Sequence, residues 1–152
     1  MIEICSETEK DQVIVYLSER FGMASELFSS WEFYSGSKGR IILGPKDINP
    51  ALRPDTAGLL IARIAKTVKP SSNLLQLFGT HVSRNAISLS RENTMRFVRG
   101  EDLSLSPEES ATATEGYVLL RFAHYALGCG LLKDGRIKNM LPKAKRVGLK
   151  YW

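Results

Sequence analysis

The spacing of apolar residues near the start of the chain predicts an amphipathic helix. Apolar residues recur at helical intervals through residues 13–21, and they follow residues 6–9, which read S-E-T-E and have the spacing of a capping box. We therefore expect a first helix over about residues 7–20 that stops at Gly22 and packs its apolar stripe on the core. A further short helical turn is predicted over residues 25–29.

Strand-like patterns follow, separated by turn-forming residues. Residues 31–35 and 40–43 are rich in aromatic and branched side chains and flank a short loop of Gly, Ser and Lys, which predicts a hairpin. Three prolines punctuate residues 44–55 and predict a connecting loop, because proline removes a backbone donor and restricts the residue before it. The apolar run over residues 58–66 fits a strand or a helix, and its short length between a glycine and a proline favours a strand.

The middle of the chain predicts two capped helices with a strand between them. A serine at position 71 or 72 is placed to cap a helix over residues 73–78, and a serine at position 90 is placed to cap one over residues 91–99. The alternating residues 86–89 predict a short strand. Residues 103–115 are polar and contain a proline, so we expect an exposed loop there.

Two long apolar runs dominate the last third of the chain. Residues 116–122 and 125–132 predict buried strands, and the glycines within the second run indicate a bend or a bulge. Asp134 and Gly135 then form the dipeptide of a tight hairpin turn. The chain after this turn is strongly basic.

The length and the composition of the chain indicate its size class and an uneven distribution of charge. A chain of 152 residues with 43% hydrophobic and 24% charged residues fits one domain or two small ones, and it is neither disordered nor fibrous. The formal charge of +5 lies at one end: residues 133–152 hold 7 basic residues and 1 acidic residue, whereas the rest has a net charge of −1. Such a basic end is typical of a chain that binds a polyanion, most simply a nucleic acid, with an anionic membrane surface or a solvated tail as alternatives.

Cysteine usage and the first residues indicate the compartment. Cys5 and Cys129 lie far apart without C-x-x-C spacing, and the first ten residues are acidic rather than basic and apolar, unlike a secretory signal. The chain contains no run of about 18 apolar residues, the length that a membrane span needs. We therefore expect a cytoplasmic protein with neither a disulfide framework nor a membrane segment.

The glycines and histidines of the chain indicate neither a nucleotide cofactor nor a metal. Gly128, Gly130 and Gly135 lack the spacing of a dinucleotide fingerprint, and a tight turn follows where a phosphate-binding helix should begin. His81 and His124 belong to no cluster of Asp, Glu, Cys or His with ligand spacing, which favours ordinary core or surface histidines.

The strongest constellation is the run of cations near the C-terminus. Several cations along one path can neutralise successive phosphates, and arginine adds a planar donor fork that lysine lacks. Asn139, in the same run, is able to hydrogen-bond to a base edge or a sugar hydroxyl. Taken alone, the run fits a nucleic-acid-binding face and a solvated face equally well. Its cations are Arg136, Lys138, Lys143, Lys145 and Arg146.

Four short motifs carry a resemblance to a known family. They read F-V-R-G-E-D-L at residues 97–103, L-G-C-G at 127–130, G-R-I-K-N at 135–139 and P-K-A-K-R at 142–146. The last three resemble the RNA-binding PUA-like module that ends bacterial 5-methylcytosine ribosomal-RNA methyltransferases, to which archaeal stand-alone proteins are similar. The first resembles the helix end and turn of PUA domains generally. The resemblance covers the chain from about residue 83 onward and the first half only loosely.

This resemblance implies an α+β fold of two packed subdomains. The first is an N-terminal α/β part over residues 1–82, and the second is a PUA-like β-pseudobarrel over residues 83–152. The implied partner is structured RNA, ribosomal or transfer, and His124 and Tyr125 lie in a loop near the RNA face, where both rings can stack on unpaired bases. The implied RNA-binding set is Arg121, His124, Tyr125, Arg136, Lys138, Asn139, Lys143, Lys145 and Arg146.

The resemblance covers only the accessory domain of the methyltransferases. The chain shows no methyl-donor glycine loop and no catalytic cysteine motif of their type, so we expect a non-catalytic protein without a cofactor, with a separate RNA-modification enzyme as a further partner. The alternative is a protein-interaction module in ribosome assembly whose basic end only improves association. A third class, an unrecognised enzyme, would need a deep pocket with paired titratable groups.

Overall fold

The computed structural model describes residues 3–46 and 58–146, so most of the predicted 44–55 loop and the end of the basic segment, residues 147–152, lie outside the described residues. No helix in the described ranges is long and apolar enough to cross a bilayer. The helices are α1 (Glu7–Phe21), α2 (Ser72–Phe78), α3 (Arg91–Val98) and α4 (Pro107–Ser110), with 3₁₀ turns at Ser25–Phe28, Ser37–Gly39, Gly79–His81 and Lys143–Lys145. The strands are β1 (Glu3–Ile4), β2 (Trp31–Ser35), β3 (Arg40–Pro45), β4 (Leu59–Ile64), β5 (Val68–Pro70), β6 (Ala86–Ser88), β7 (Leu103–Ser104), β8 (Gly116–Phe122), β9 (Tyr125–Lys133) and β10 (Arg136–Asn139).

The predicted first helix is confirmed at both ends. The Ser6 hydroxyl accepts a hydrogen bond from the Glu9 backbone N–H at 3.1 Å, and the Glu9 carboxylate accepts one from the Ser6 backbone N–H at 3.2 Å, which is the reciprocal pair of a capping box. Gly22 ends α1 with φ at +69°, a left-handed value that glycine adopts at little cost. The stripe that α1 buries consists of Val13, Leu17 and Phe21.

Strands β1 to β5 form an antiparallel sheet in sequence order. The predicted hairpin is confirmed as β2 and β3, in which Phe33 lies opposite Leu43, and the ambiguous run over residues 58–66 is confirmed as a strand, β4. Buried side chains of this sheet, including Phe33 and Ile61, share one core with the stripe of α1 and with Leu74 and Leu75 of α2. The helices therefore cover the sheet through the apolar faces that their spacing predicts.

The second sheet has the order β6-β8-β9-β10-β7 and is antiparallel except for β6, which runs parallel to β8. The long β8–β9 ladder changes register: Leu120 pairs with Gly128, whereas Arg121 pairs with Ala126. Leu127 is therefore the extra residue of a β-bulge, as the glycines of this run indicated. Helices combined with two mainly antiparallel sheets give the expected α+β fold.

The predicted Asp-Gly turn joins β9 to β10. Lys133 pairs with Arg136 across it, which leaves a two-residue loop, and φ is +52° at Asp134 and +75° at Gly135. Positive φ at both central residues is the requirement of a type I′ turn, whose twist matches that of the flanking strands. The turn prediction is confirmed.

The two sheets pack against each other through shared apolar and polar contacts. Leu119 and Cys129 of the second sheet are fully buried in the core of the first half. Arg20 of α1 donates from Nε to the Tyr117 carbonyl at 2.7 Å and from Nη1 to the Thr114 hydroxyl at 2.6 Å. The subdomain boundary after residue 82 lies between the two sheets and stays a prediction.

The expectation of an exposed loop over residues 103–115 is wrong for its first half. Leu103 and Leu105 are buried, and β7 pairs with β10 along the edge of the second sheet. The Ser106 hydroxyl accepts from the Glu109 backbone N–H at 3.2 Å, and the Glu109 carboxylate accepts from the Ser106 backbone N–H, so a second capping box starts α4. The polar composition of this stretch obscured a helix start with the same serine-to-glutamate spacing as in α1.

Candidate nucleic-acid interface

Alternation along β10 sends its cations and its apolar side chains to opposite faces of the second sheet. Arg136 and Lys138 are exposed, whereas Ile137 and Asn139 are buried. Ile137 pairs with Leu132 of β9, and both side chains belong to the core of the second half. The two cations of β10 therefore lie on the outward face of the strand.

Lys133 extends this cationic face to the neighbouring strand. It is exposed and lies opposite Arg136, and directly opposed residues of an antiparallel pair share one face of the sheet. The predicted RNA-binding set omitted Lys133. The signal that locates it is its place immediately before the two turn residues, since a two-residue hairpin loop brings the residues on either side of it face to face.

The three cations line an open groove of about 730 Å³ on the outer face of β7, β9 and β10. Ser104 and the half-buried Leu131 contribute to its lining, together with the carboxylates Asp102 and Asp134. Asp102 Oδ1 accepts a hydrogen bond from the Asn139 backbone N–H at 2.8 Å, so this carboxylate fixes the end of β10. The groove thus offers more positive than negative charge around a small apolar floor.

The groove cations are available to an anionic ligand. Lys133, Arg136 and Lys138 form no ion pair with a carboxylate in the part of the chain that the structure describes. Exposed ammonium and guanidinium groups without a fixed partner are the groups that neutralise phosphates, and arginine adds bidentate geometry.

Asn139 has a structural role, contrary to the expectation that it contacts a base or a sugar. Its side chain is buried, and Nδ2 donates to the carbonyls of Phe97 and Glu101, both at 2.8 Å. Its Oδ1 accepts from the Leu141 backbone N–H at 2.9 Å, so both amide hydrogens and the oxygen are engaged. These bonds fasten the motif at residues 97–103 to β10, and we therefore leave Asn139 out of the interface.

The basic segment after β10 forms a 3₁₀ turn that continues the positive charge toward α2. Lys143 and Lys145 are exposed on this turn. Lys145 Nζ donates to Gln76 Oε1 of α2 at 2.9 Å, and Gln76 Nε2 donates to the Leu127 carbonyl at 2.8 Å. Since Lys143 follows Lys138 by five residues, their Cα atoms lie at most about 18 Å apart. The groove and the turn are therefore close enough for one extended polyanion to contact both.

Arg146 lies over the turn that ends α3. Its Nε donates to the Leu141 carbonyl at 3.1 Å. Gly100, at φ +95°, passes directly beneath its side chain, and a Cβ at this position would lie 2.5 Å from the Arg146 Cδ. Glycine is thus needed there both for the backbone conformation and for the close approach of the arginine.

His124 and Tyr125 lie at the tip of the β8–β9 hairpin. Their ring centroids are 4.2 Å apart with an angle of 32° between the ring planes, and 60% of Tyr125 is exposed. The tip is formed by Ala123, whose φ is +52°. The structure therefore brings the two predicted stacking residues together on the surface, at the end of β9 opposite to the groove.

Arg121 fastens the two halves of the molecule together. Its Nη2 donates to the Val82 carbonyl at 3.0 Å and to the Gly79 carbonyl. These carbonyls belong to the 3₁₀ turn after α2 and to the residue that follows it. The geometry assigns this guanidinium to the contact between the halves, so we also leave Arg121 out of the interface.

Both cysteine side chains of the described residues are buried. Burial raises the pKa of the Cys129 thiol to about 12, and burial together with the nearby Glu9 raises that of Cys5 to about 11, so both thiols are protonated at neutral pH. Within the described ranges, no three side chains of His, Cys, Asp or Glu lie close enough to hold a metal ion. The surface offers cations and aromatic rings, which are the groups that bind a polyanion.

The second half of the chain is similar to a module of known proteins. Residues 84–147 match the family model of the methyltransferase RsmF PUA domain. A ribosomal RNA small subunit methyltransferase F from Psychromonas ingrahamii is 31% identical over 75 residues, which cover 49% of this chain and 15% of that protein. The match therefore concerns one small part of the methyltransferase.

A solved structure shows the same fold over most of the chain. The conserved PUA domain protein from Thermoplasma acidophilum superposes with a TM-score of 0.60 at 14% identity, covering 88% of this chain and 80% of that one. At this identity the likeness concerns the fold alone. Together the three comparisons confirm the resemblance read from the motifs: residues 84–147 form a PUA-like domain within an α+β fold.

Proposed function

We propose that this chain binds structured RNA, ribosomal or transfer, through its PUA-like domain and catalyses no reaction of its own. The observation that carries the proposal is the groove on β7, β9 and β10, which presents Lys133, Arg136 and Lys138 to solvent without ion-pair partners in the described part of the chain. The match to a ribosomal-RNA methyltransferase module supports RNA as the polyanion.

The spacing of the groove cations suits a nucleic-acid backbone. Neighbouring strands lie about 5 Å apart, and alternate residues of one strand lie about 7 Å apart. Three charges from β9 and β10 therefore fall within an area that two or three consecutive phosphates can cover. Lys143 and Lys145 on the following turn extend the same electrostatic path.

The non-catalytic role rests on which part of the relative is matched and on the chemistry of the site. The matched segment is the PUA module, and it covers 15% of the methyltransferase. Both cysteine thiols are buried and protonated, and Asp102 of the groove is engaged with the backbone of β10. We therefore place the chain as an RNA-binding partner in RNA modification or ribosome biogenesis, in which a separate enzyme supplies the chemistry.

The test is the salt dependence of RNA binding, measured by fluorescence anisotropy on one structured ribosomal RNA fragment. Replacing Lys133, Arg136 and Lys138 together with alanine removes about three phosphate contacts, which flattens the log-log salt slope by about 2 units. The contribution of the groove to the loss of affinity between roughly 50 and 200 mM salt is then about 20-fold.

The matched control replaces Lys46, Lys66 and Lys69, three exposed lysines in or next to the strands of the first sheet, and removes the same charge elsewhere. We expect this control to keep the wild-type slope. If both triple variants weaken binding equally, net charge alone is at work and the groove is a solvated face. If the wild-type chain binds no RNA near physiological salt, the protein-interaction alternative takes the place of our proposal.

A further inference from the structure

The tip of the β8–β9 hairpin carries two rings that have no part in holding the fold together. Neither His124 nor Tyr125 belongs to either apolar core of the described chain. We propose that this tip is a stacking site for one unpaired base of the RNA. This inference rests on the proposed function and deepens it, because it names the class of RNA: a folded RNA with an unpaired nucleotide beside its helical part.

The rings are arranged in advance of any ligand. The His124 and Tyr125 centroids lie 4.2 Å apart at a tilt of 32°, so the imidazole limits the positions open to the tyrosine ring. With 60% of its surface exposed, Tyr125 leaves a large apolar area uncovered. A base that stacks on an aromatic side chain strengthens binding by roughly 5-fold to 150-fold in alanine-substitution experiments.

The backbone of the tip is held in an unusual conformation. Ala123 adopts φ +52°, a left-handed value that residues other than glycine adopt at a cost. Phe122 pairs with Tyr125 across this two-residue loop, and a tight hairpin turn requires positive φ at its first central residue. The turn therefore sets this conformation and places the two rings next to each other on the surface.

Gln76 of α2 connects the strand that leads from the tip with the basic turn. Leu127, two residues after Tyr125, accepts a hydrogen bond from Gln76, and the same glutamine accepts one from Lys145. One side chain thus links the basic turn to the strand that carries the tyrosine.

The separation between the tip and the groove sets the shape of the RNA. Strand β9 runs from Tyr125 at the tip to Lys133 at the groove, which is roughly 25 Å at about 3.3 Å per residue. An RNA that occupies both sites therefore presents an unpaired nucleotide roughly 25 Å from the phosphates that lie on the groove.

The experiment compares two RNA probes on the full chain. One is a blunt RNA duplex, and the other is the same duplex with a 3′ overhang of about eight adenosines, one of them replaced by 2-aminopurine, a length within the site sizes of single-strand binders. The variants are Tyr125→Ala, Tyr125→Trp, which keeps a stacking ring, and Val15→Ala, which removes an exposed apolar side chain on α1. Circular dichroism confirms that each variant is folded.

We expect Tyr125→Ala to weaken binding of the overhang probe by about 5-fold or more and to leave the blunt duplex and the salt slope unchanged. The 2-aminopurine fluorescence falls on binding to the wild type and to Tyr125→Trp, and it does not fall with Tyr125→Ala. Equal affinity of wild type and Tyr125→Ala for the overhang probe, or equal quenching, overturns the stacking site. Failure of the proposed function looks different, because the wild type would then bind neither probe.

Discussion

Replacing Asn139 with alanine separates a structural from an RNA-contacting role for this residue. The change removes three hydrogen bonds of 2.8 to 2.9 Å. The Phe97 carbonyl keeps the Gly100 N–H at 2.9 Å, whereas the half-buried Glu101 carbonyl and the buried Leu141 N–H lose the Asn139 side chain. A hydrogen bond of this kind contributes about 1 kcal/mol net, and a buried polar group without a partner costs about 1–3 kcal/mol. We therefore expect a loss of about 3 kcal/mol or more in the free energy of unfolding, a large part of the roughly 5–15 kcal/mol that holds a small protein folded.

Urea denaturation followed by circular dichroism measures this loss, and anisotropy on a structured RNA measures binding by the same variant. The matched control is Lys138→Ala, one residue earlier on the same strand but exposed. We expect the control to change the unfolding free energy by less than about 0.5 kcal/mol while it weakens RNA binding. The reasoning is refuted if Asn139→Ala unfolds like the wild type and yet binds RNA weakly, since that pattern belongs to a base contact.

Two further predictions concern the hairpin turn and a buried thiol. Gly135→Val should cost about 1–3 kcal/mol of stability because the φ of +75° is unfavourable for valine. A steric clash does not contribute, since a Cβ there would meet only the Leu105 carbonyl at 3.4 Å. Gly135→Asn should cost less, and an unchanged melting temperature for the valine variant would contradict the turn. Burial raises the pKa of the Cys129 thiol from 9.0 to about 12. The protonated thiol therefore stabilises the folded state fully at pH values below the unfolded pKa. Between the unfolded and the folded pKa, the free energy of unfolding falls by up to about 1.4 kcal/mol per pH unit. Stability measured from pH 8 to 11 should therefore fall less steeply in Cys129→Ala than in the wild type, and parallel curves would count against the shift.

Features set by near neighbours in the chain could be predicted from the sequence. The capping box at Ser6 and Glu9, the end of α1 at Gly22 and the turn at Asp134 and Gly135 each depend on residues within four positions of one another. In each case the residues that form the sequence motif are also the residues that make the hydrogen bond or adopt the positive φ. The same holds for the bulge before Gly128.

Features set by distant partners could not be predicted in this way. In the sequence, Asn139 is a polar residue among cations. Its side chain is buried because the fold places residues 97–102 beside it, where their carbonyls accept from its amide. Arg121 reads as one more cation, yet its guanidinium meets carbonyls that lie about 40 positions earlier in the chain. A single sequence gives the residue type at each position but not the group that will face it, so candidate binding residues and structural ones look alike until the strands are placed.

The N-terminal half supports part of the proposed interface, although the sequence resemblance lies in the second half. Gln76 of α2 holds both Lys145 and the bulged strand that leads from the hairpin tip. Gly79, at the end of α2, lies so close to that strand that a Cβ would come within 2.6 Å of the Ala126 side chain. The hairpin tip and the basic turn are therefore both held by α2, which lies outside the matched residues 84–147. The lining of the groove on β10, in contrast, comes from residues 102–138, so the N-terminal half supports the tip and the basic turn but not the groove.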